Sequence, residues 1–468
     1  MTPWVLLFQV LSILQSAFPR GASFLWFQVV IAGLVSRPDD EGVTSIIRGV
    51  GLGERAYGSI VKHFERGSCD PMLTRLWVGA VRKFLGDRLH EVNDRLVLVV
   101  DSTKGKKSGE RMPSVKLLRS SKSGAGEADY IRGHHFHVAA VLARFSERYV
   151  AVPLVVRLCE GIKLSPNDRT TLRSKMVAIQ DEMGTLPPSY VVADRFYGSG
   201  NYIRAMRERG HHVVYRVRSN AVCVDLVAPT APEAWRGPGR PRKYANQESV
   251  IARAGRMKSH HKIPCPWDKA TMTVTSFIAF WRPRGCEVLW VVARHPSRFT
   301  PFVALSTDTT LSTHDVLHKL YAPRWSIETA FMFLKKQLSL FMYRFWTSAL
   351  DRPEDAKGDL YLHRKDDDKR AAILAKARSY DHFGQYAVIA QGVLQIISLR
   401  LESAVREQVD FFMRTVREGS PPSEMLVRKV LTASFGSFLK ATADTSSFAK
   451  FIAKAKQNEI TSDLPLAA

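Results

Sequence analysis

Apolar residues recur at helical spacing through the first 90 residues of the chain. The pattern predicts helices over 4–18, 23–36, 42–50, 54–65 and 71–86. The first of these segments has no basic residue before Arg20 and is too short to span a bilayer, so we expect a buried helix rather than a signal peptide. Residues 1–90 are therefore predicted to form a helical domain. Such domains often bind DNA, although no recognition helix can be named.

The spacing of apolar residues then changes from the period of helices to that of strands. LVLVV at 96–100 predicts a short apolar strand that ends at Asp101, and YVVA at 190–193 predicts another that ends at Asp194. Further strands are expected over 135–143, 149–158 and 212–217, and helices over 168–183 and 202–209. This order is that of a mixed α/β domain. Side chains at the ends of adjacent central strands meet in one crevice, so we expect Asp101 and Asp194 to lie together.

Residues 219–305 return to strand periodicity, with strands expected over 271–280, 287–293 and 302–305. They interrupt the α/β series as a β-rich insertion. Within it, RGPGRPRK at 236–243 is basic and rich in proline, and its Arg240 and Arg242 resemble the arginines of hook peptides that enter the minor groove of AT-rich DNA. A flexible, solvated loop explains this short match equally well.

The stretch YAPRWSIETAFMFLK at 321–335 predicts an amphipathic helix with Pro323 in its first turn. At 100° per residue, Tyr321, Arg324, Glu328 and Lys335 fall within an arc of about 60°. An apolar stripe beside this arc would dock the helix on a sheet. Beyond it, the charged segment 351–370 predicts a loop, and 381–417 and 423–455 predict helices for subunit contact or for support of the core.

These patterns divide the chain into five regions. We expect a helical domain (1–90), the first part of an α/β core (91–218), the β-rich insertion (219–305), the rest of the core (306–345) and a C-terminal helical region (346–468).

The net charge of the chain indicates the kind of partner that it binds. The 468 residues include 68 Lys and Arg against 44 Asp and Glu, which gives a net charge of +24. Such an excess favours a polyanionic partner, most simply nucleic acid, over a merely solvating basic surface. The five cysteines are never spaced as CxxC, so neither disulfides nor a structural zinc site are suggested, and a reducing cytoplasm fits. No membrane association is expected.

Asp101, Asp194 and Glu328 could together hold divalent cations. Three carboxylates gathered without a metal would repel one another. Mg²⁺ prefers carboxylate oxygens, and two Mg²⁺ ions about 4 Å apart can promote phosphodiester cleavage or transfer. Any one of these acids is explained as well by a capping or surface role. All three, in these predicted elements of a basic chain, indicate metal-dependent phosphoryl transfer.

The chain resembles the DDE transposases of insertion sequences. It is similar in particular to the insertion-sequence-four type, whose third acid lies in a Tyr, Arg, Glu, Lys signature with two, three and six intervening residues. Tyr321, Arg324, Glu328 and Lys335 match this signature in full. LSTD at 305–308 and Trp325 agree with its flanks, and the resemblance covers about residues 90–345.

The resemblance implies a ribonuclease-H-like core with a β-rich insertion, in which Asp101, Asp194 and Glu328 bind two Mg²⁺ ions, with Mn²⁺ as a substitute. It implies that Tyr321, Arg324 and Lys335 hold double-stranded DNA. The implied activity is binding of inverted-repeat ends, cleavage there, and joining of the 3′-hydroxyls to target DNA by a homodimer in the bacterial cytoplasm, at the nucleoid when bound to DNA.

Members of this subgroup often form a hairpin at the transposon end and flip a base onto an aromatic ring of the insertion. Trp290 and Trp281 are the candidates for this ring, with Trp325 as an added contact, and core packing is the alternative for each. The chain departs from the family pattern at Phe196, where a small residue is usual.

Two other functions are compatible with the sequence. One is a catalytically idle DNA-binding regulator derived from a transposase, although such a protein would not need three metal-binding acids. The other is a different ribonuclease-H-like nuclease, such as a junction resolvase, although a small nuclease lacks the insertion and the flanking helices. The clustered histidines of 134–137 and 211–212 are expected to be structural or to face DNA rather than to bind a transition metal.

Overall fold

Two units make up the chain in the computed structural model. One, the helical unit, comprises Met1–Leu89, Ser102–Thr185 and Ile327–Ala468; the other, the sheet unit, comprises His90–Asp101 and Leu186–Ser326. The structure describes all residues except 38, 40–41, 67–70, 121–128, 160, 228–242, 283–284, 352–358, 410–418 and 464–468. Helices and a large mixed sheet confirm the predicted α/β class.

The α-helices are these: α1 (Pro3–Ser12), α2 (Gly21–Ser36), α3 (Gly42–Val50), α4 (Arg55–Arg66), α5 (Pro71–Leu85), α6 (Leu172–Glu182), α7 (Gly200–Glu208), α8 (Val250–Arg256), α9 (Ser326–Lys336), α10 (Asp367–Arg400), α11 (Glu402–Val409), α12 (Glu424–Ala441) and α13 (Ser447–Asp463).

The strands are these: β1 (Glu91–Val92), β2 (Arg95–Lys106), β3 (Lys116–Arg119), β4 (Tyr130–Phe145), β5 (Arg148–Leu158), β6 (Ile162–Lys163), β7 (Ser189–Ala193), β8 (His212–Arg216), β9 (Val222–Cys223), β10 (Glu248–Ser249), β11 (His261–Pro264), β12 (Thr271–Trp281), β13 (Cys286–Arg294), β14 (Phe302–Ser306) and β15 (Leu360–Tyr361).

In the sheet unit, the strands lie in the order β11, β12, β13, β14, β8, β7, β2. The last three run parallel to one another, as their apolar sequences predict for strands buried on both faces. The others pair antiparallel, and β14 joins the two sets by pairing with β8. The strands predicted for the β-rich insertion therefore extend the same sheet that contains the parallel strands.

A tight hairpin starts β2, the strand that carries Asp101. β1 pairs antiparallel with the beginning of β2, and the two residues between them, Asn93 and Asp94, have φ angles of 48° and 58°. Asn and Asp tolerate this left-handed conformation better than other side chains, and the twist of such a turn suits a two-residue hairpin. The turn fixes where β2 begins.

In the helical unit, the long helix α10 lies at the centre and packs against β5, α2, α4, α5 and α12. Among the described strands, β5 pairs with β4 alone, so its other edge needs partners for its backbone groups. Gln385 and Gln395 of α10 supply them by donating hydrogen bonds to Leu154 O and Ala151 O, each at 3.0 Å. At the termini, Trp4 of α1 donates to Leu431 O of α12 at 3.1 Å, and α1 is buried as predicted.

The structure corrects three predicted elements. β2 does not end at Asp101 but continues to Lys106. A π-helix (Asp315–Tyr321) and a 3₁₀ turn (Ala322–Trp325) precede α9, so Tyr321 lies within helical structure rather than just before it. Helix α10 begins at Asp367, inside the segment predicted as a loop, because Asp366 caps it by accepting a hydrogen bond from Lys369 N–H at 2.8 Å.

Among the described residues, no single helix has both the length and the apolar composition needed to cross a membrane; only the bent pair of α10 and α11 passes that test.

Candidate active site

Two neighbouring parallel strands bring Asp101 and Asp194 side by side. Val100 of β2 is the register partner of Ala193 of β7. Asp101 directly follows Val100, and Asp194 directly follows Ala193. Adjacent strands lie about 4.8 Å apart, so the backbones of the two aspartates lie close together at one end of this strand pair. Asp101 is nevertheless not at a strand end, since β2 continues beyond it while its pairing with β7 stops at Val100.

Arg324 pairs with the first of these acids. Its Nη1 donates to Asp101 Oδ2 at 2.6 Å, and the two side chains are only 10% and 11% exposed. A carboxylate buried to this degree needs a cation close by, because transfer of an isolated charge out of water costs several kcal/mol. The guanidinium therefore compensates the charge of Asp101.

Asp194 is held by the turn that follows β7. Its Oδ1 accepts a hydrogen bond from Phe196 N–H at 2.8 Å, which is the local side-chain turn typical of Asp. The Phe196 side chain is 40% exposed, so a large residue fits where a small one is usual. Tyr197 points inward and packs on Tyr202 with ring centroids 5.6 Å apart. The departure from the family pattern thus leaves the Asp194 turn intact.

Tyr321 is buried rather than at the surface. Its ring packs edge-on against Phe302 at 4.9 Å, and the guanidinium of Arg324 stands 5.5 Å from its centroid. Burial raises the pKa of the Tyr321 hydroxyl; the charge of Asp194 acts in the same direction, and those of Arg324 and Arg216 oppose it. The ring of Tyr321 therefore packs between Phe302 and the guanidinium of Arg324.

Glu328 and Lys335 belong to α9 in the helical unit. They are seven residues apart, about two helical turns, so they share a face of the helix. Desolvation lowers the pKa of the Lys335 ammonium, and the carboxylate of Glu328 partly offsets this. The Lys335 ammonium also lies 5.9 Å from the centroid of the Phe341 ring.

A cavity of about 680 Å³ opens beside Arg324 in the sheet unit. Arg216, Arg298 and Arg324 supply the positive charge of its wall. Its aromatic lining comes from Trp267, Phe302, Tyr321 and Trp325. Guanidinium groups and accessible rings in one cavity suit a phosphate and a nucleobase.

The family model for the transposase DDE domain matches residues 93–345, more than half of the 468 residues. The chain belongs to this family. A comparison with curated proteins found no match. Among solved structures, the chain is similar to a piggyBac transposase in a synaptic complex with hairpin DNA, at a TM-score of 0.35 and 10% identity over 100% of this chain and 86% of that one. Similarity at that level supports no conclusion about this transposase.

The structure corrects the predicted base-stacking residue of the transposase. Trp290 is 0% exposed and Trp281 is 8% exposed, with their rings packed edge-on at 6.1 Å. A ring without accessible surface cannot stack on a base unless the core unpacks, so the assignment of Trp290 to DNA is wrong for this conformation. Trp325, by contrast, is 64% exposed. Arg240 and Arg242 lie outside the described residues.

The sequence did not single out the most exposed ring of this unit. Phe299 is fully exposed in the loop between β13 and β14, directly after Arg298 of the cavity wall. An aromatic residue between Pro296 and Pro301 in HPSRFTP was the available signal, since an apolar ring in a proline-bounded loop has no core to enter. Arg216 and Trp267 were also missed, because nothing in their local sequence distinguishes them.

DDE transposases generally use divalent metal ions. The residues present fit such an ion, because Asp101 and Asp194 offer carboxylate oxygens from adjacent strands and hard cations prefer oxygen. The buried Asp101 carboxylate is also one that a cation would stabilise, as Arg324 does.

Proposed function

We propose that this transposase binds inverted-repeat ends of a transposon and catalyses Mg²⁺-dependent DNA cleavage and strand transfer. We assign it to the insertion-sequence-four subgroup with its Tyr, Arg, Glu, Lys signature and a ribonuclease-H-like core. The observation that carries the proposal is that Asp101 and Asp194 directly follow Val100 and Ala193, the last register partners of two adjacent parallel strands, with Arg324 bound to Asp101.

Glu328 is proposed to complete the acidic set. It follows Arg324, the residue bound to Asp101, by four positions in the signature, and it lies on α9 with Lys335. Asp101, Asp194 and Glu328 would then bind two Mg²⁺ ions, with Mn²⁺ as a substitute.

The chain's own residues would position these groups for reaction. When bound, Mg²⁺ supplies activation of the attacking oxygen and neutralisation of charge on the leaving oxygen. Arg324 keeps the Asp101 carboxylate oriented by its 2.6 Å hydrogen bond, and the Phe196 N–H does the same for Asp194. With both carboxylates fixed, their oxygens would be presented to divalent ions without prior reorientation.

DNA would be held by the cavity wall. Arg216 and Arg298 are placed to neutralise phosphates, while Trp325 offers an exposed face. We propose Phe299 in place of Trp290 as the ring that receives a flipped base, because base stacking needs an accessible ring and contributes about 1–3 kcal/mol per base. Tyr321 is buried, so we assign it to support Arg324 rather than to direct contact. Lys335 would bind phosphate.

The partner is proposed to be double-stranded DNA, both the transposon ends and the target, bound by a homodimer. The net charge of +24 supports a polyanionic partner. The proposed location is the bacterial cytoplasm, at the nucleoid when bound to DNA.

The test uses a duplex that carries the inverted repeat found beside the gene, labelled at the end, with purified full-length protein and Mg²⁺. Asp101→Asn, Asp194→Asn and Glu328→Gln should each abolish cleavage while binding of the duplex stays near that of the parent protein. Asp225→Asn is the matched control, since this exposed carboxylate accepts hydrogen bonds at 2.8 and 2.9 Å from Arg253, away from the acids on β2 and β7.

Ordinary Mg²⁺-dependent cleavage by one of the three variants would remove that residue from the acidic set. Specific binding of the duplex without cleavage by the parent protein, under Mg²⁺ and Mn²⁺ alike, would favour the idle regulator instead.

A further inference from the structure

A second group of possible metal ligands lies in the sheet unit, apart from the acids on β2 and β7. Cys265 and Asp268 belong to the turn between β11 and β12, and His295 directly follows β13. Each of the three offers a ligand atom, and these atoms all lie within 4.8 Å of one another. His295 Nε2 lies 3.0 Å from Asp268 Oδ2.

The backbone fixes this group in place. Cys265 N–H donates to Ala270 O at 2.7 Å, and Ala270 N–H donates to Asp268 Oδ1 at 3.0 Å, which closes the turn around both side chains. Across the sheet, β12 and β13 pair through Thr273 and Arg294, the residue before His295. The positions of all three side chains are therefore set by the fold rather than by chance approach of flexible loops.

The accessibility of the three residues leaves a path for an ion. Cys265 is buried at 5% exposure, whereas the side chains of His295 and Asp268 are 11% and 38% exposed. A thiolate would thus lie at the inner side of an ion and a carboxylate at the solvent side. The chain supplies three ligands and leaves one side open to water.

We propose that Cys265, Asp268 and His295 bind one Zn²⁺ ion, or a transition metal of the same class, in the sheet unit. Sulfur, nitrogen and oxygen donors together match the preference of Zn²⁺, and three protein ligands with a water in the fourth position form a known type of tetrahedral zinc site. Mg²⁺ would not compete well, because it disfavours sulfur and nitrogen ligands.

Binding requires local rearrangement of protons. The Cys265 thiol must lose its proton to become a ligand. His295 Nδ1 now accepts a hydrogen bond from Ser297 N–H at 3.1 Å, so in the neutral ring Nε2 carries the proton that faces Asp268. Coordination through Nε2 therefore requires this single ring proton to move from Nε2 to Nδ1, which can then no longer accept the hydrogen bond from Ser297 N–H.

The ion would clamp two loops that line the cavity. Trp267 lies between Cys265 and Asp268, while Arg298 and Phe299 follow His295 by three and four residues. Coordination would also draw Asp268 away from Arg298, whose Nη2 is 3.7 Å from Asp268 Oδ2. The metal would therefore order the aromatic wall and release one guanidinium for phosphate.

The test titrates the purified full-length protein with Co²⁺, without DNA, and follows the near-ultraviolet sulfur-to-cobalt charge-transfer absorption. We expect saturation at one Co²⁺ per chain and displacement by Zn²⁺. Cys265→Ser should lose the band, and Asp268→Asn, at an exposed side chain, should weaken binding at least tenfold. Cys286→Ser is the matched control, because Cys286 lies at the opposite end of β13 from His295.

A second measurement guards against misfolding of a variant. Zn²⁺ should raise the melting temperature of the parent protein and of Cys286→Ser, but not that of Cys265→Ser. An absent charge-transfer band, or a band of equal strength in Cys265→Ser, overturns the zinc site. Neither result bears on the cleavage assay, which depends on Asp101, Asp194 and Glu328.

Discussion

Arg324 Nη1 and Asp101 Oδ2 form a buried ion pair at 2.6 Å. The pair links the 3₁₀ turn that contains Arg324 to strand β2 within the sheet unit. It is therefore both a structural contact and a determinant of the charge at the candidate active site.

Arg324→Ala should destabilise the protein by about 3–5 kcal/mol, because it leaves the buried Asp101 carboxylate without its cation. Urea unfolding measures the change. Arg253→Ala is the control: Arg253 pairs with Asp225, whose side chain is 58% exposed, and loss of such a pair costs about 1 kcal/mol or less. Equal effects of the two variants would mean that burial of Asp101 needs no compensation by Arg324.

Phe299→Ala should affect mainly the processing of DNA ends, whereas Trp290→Ala should affect mainly the stability of the fold. The exposed Phe299 contributes little to folding, so its truncation should change stability by less than about 0.5 kcal/mol but weaken processing of DNA ends. Truncation of the buried Trp290 should lower the free energy of unfolding by about 3–5 kcal/mol. Thermal unfolding combined with end cleavage separates the two. Full cleavage by Phe299→Ala would exclude it from base stacking.

Asp381 should make stability depend on pH in the helical unit. Burial raises the pKa of its carboxyl from 3.8 to about 6, an effect that the charge of Arg157 opposes. The folded state binds this proton more tightly than the unfolded state, so the stabilising contribution is complete below pH 3.8 and is lost as the pH rises through about 6.

Asp381→Asn should therefore raise the free energy of unfolding at pH 8 by up to about 3 kcal/mol, at about 1.4 kcal/mol per pKa unit, and change it little at pH 3.5. Its amide oxygen can still accept the hydrogen bond that Leu158 N–H donates at 2.7 Å. Urea unfolding across this pH range checks the prediction. A parallel shift of the whole profile would assign the effect to packing rather than to charge.

Gly133→Ala should be strongly destabilising. A methyl group at this position would lie 2.0 Å from Gly105 O, a backbone atom that cannot move aside without disturbing its strand. Gly79→Ala is the control, because nothing lies within 4 Å of the added carbon in α5 and alanine favours the helix by about 0.5–1 kcal/mol. Melting temperatures of the two variants should move in opposite directions.

The positions of the aspartates were predictable because short apolar runs such as LVLVV and YVVA are typical of buried strands. The continuation of β2 past Asp101 was not, since STKGK is polar and its strand character comes from pairing with distant residues. Hydrophobicity also could not tell whether Trp290 or Phe299 faces solvent. That distinction depends on which side of β13 meets the core and on where the strand ends.

Cys265, Asp268 and His295 were hidden for a related reason. Zinc motifs are recognised by short spacing, whereas here 26 residues separate Asp268 from His295 and only the β12–β13 hairpin brings them together. The same holds for Arg324 and Asp101, whose pairing depends on tertiary structure.

The π-helix Asp315–Tyr321 determines the direction in which the side chains of the following turn, including Arg324, leave the helix axis. A helix turns by about 100° for each residue, so deletion of a single amino acid there would swing Arg324 a quarter turn or more from Asp101 while leaving every side chain of the signature in the sequence. Homologues could therefore keep all four signature residues and still lose the buried contact. In this chain, the contact between Arg324 and Asp101 thus depends on the length of Asp315–Tyr321 as well as on the signature residues themselves.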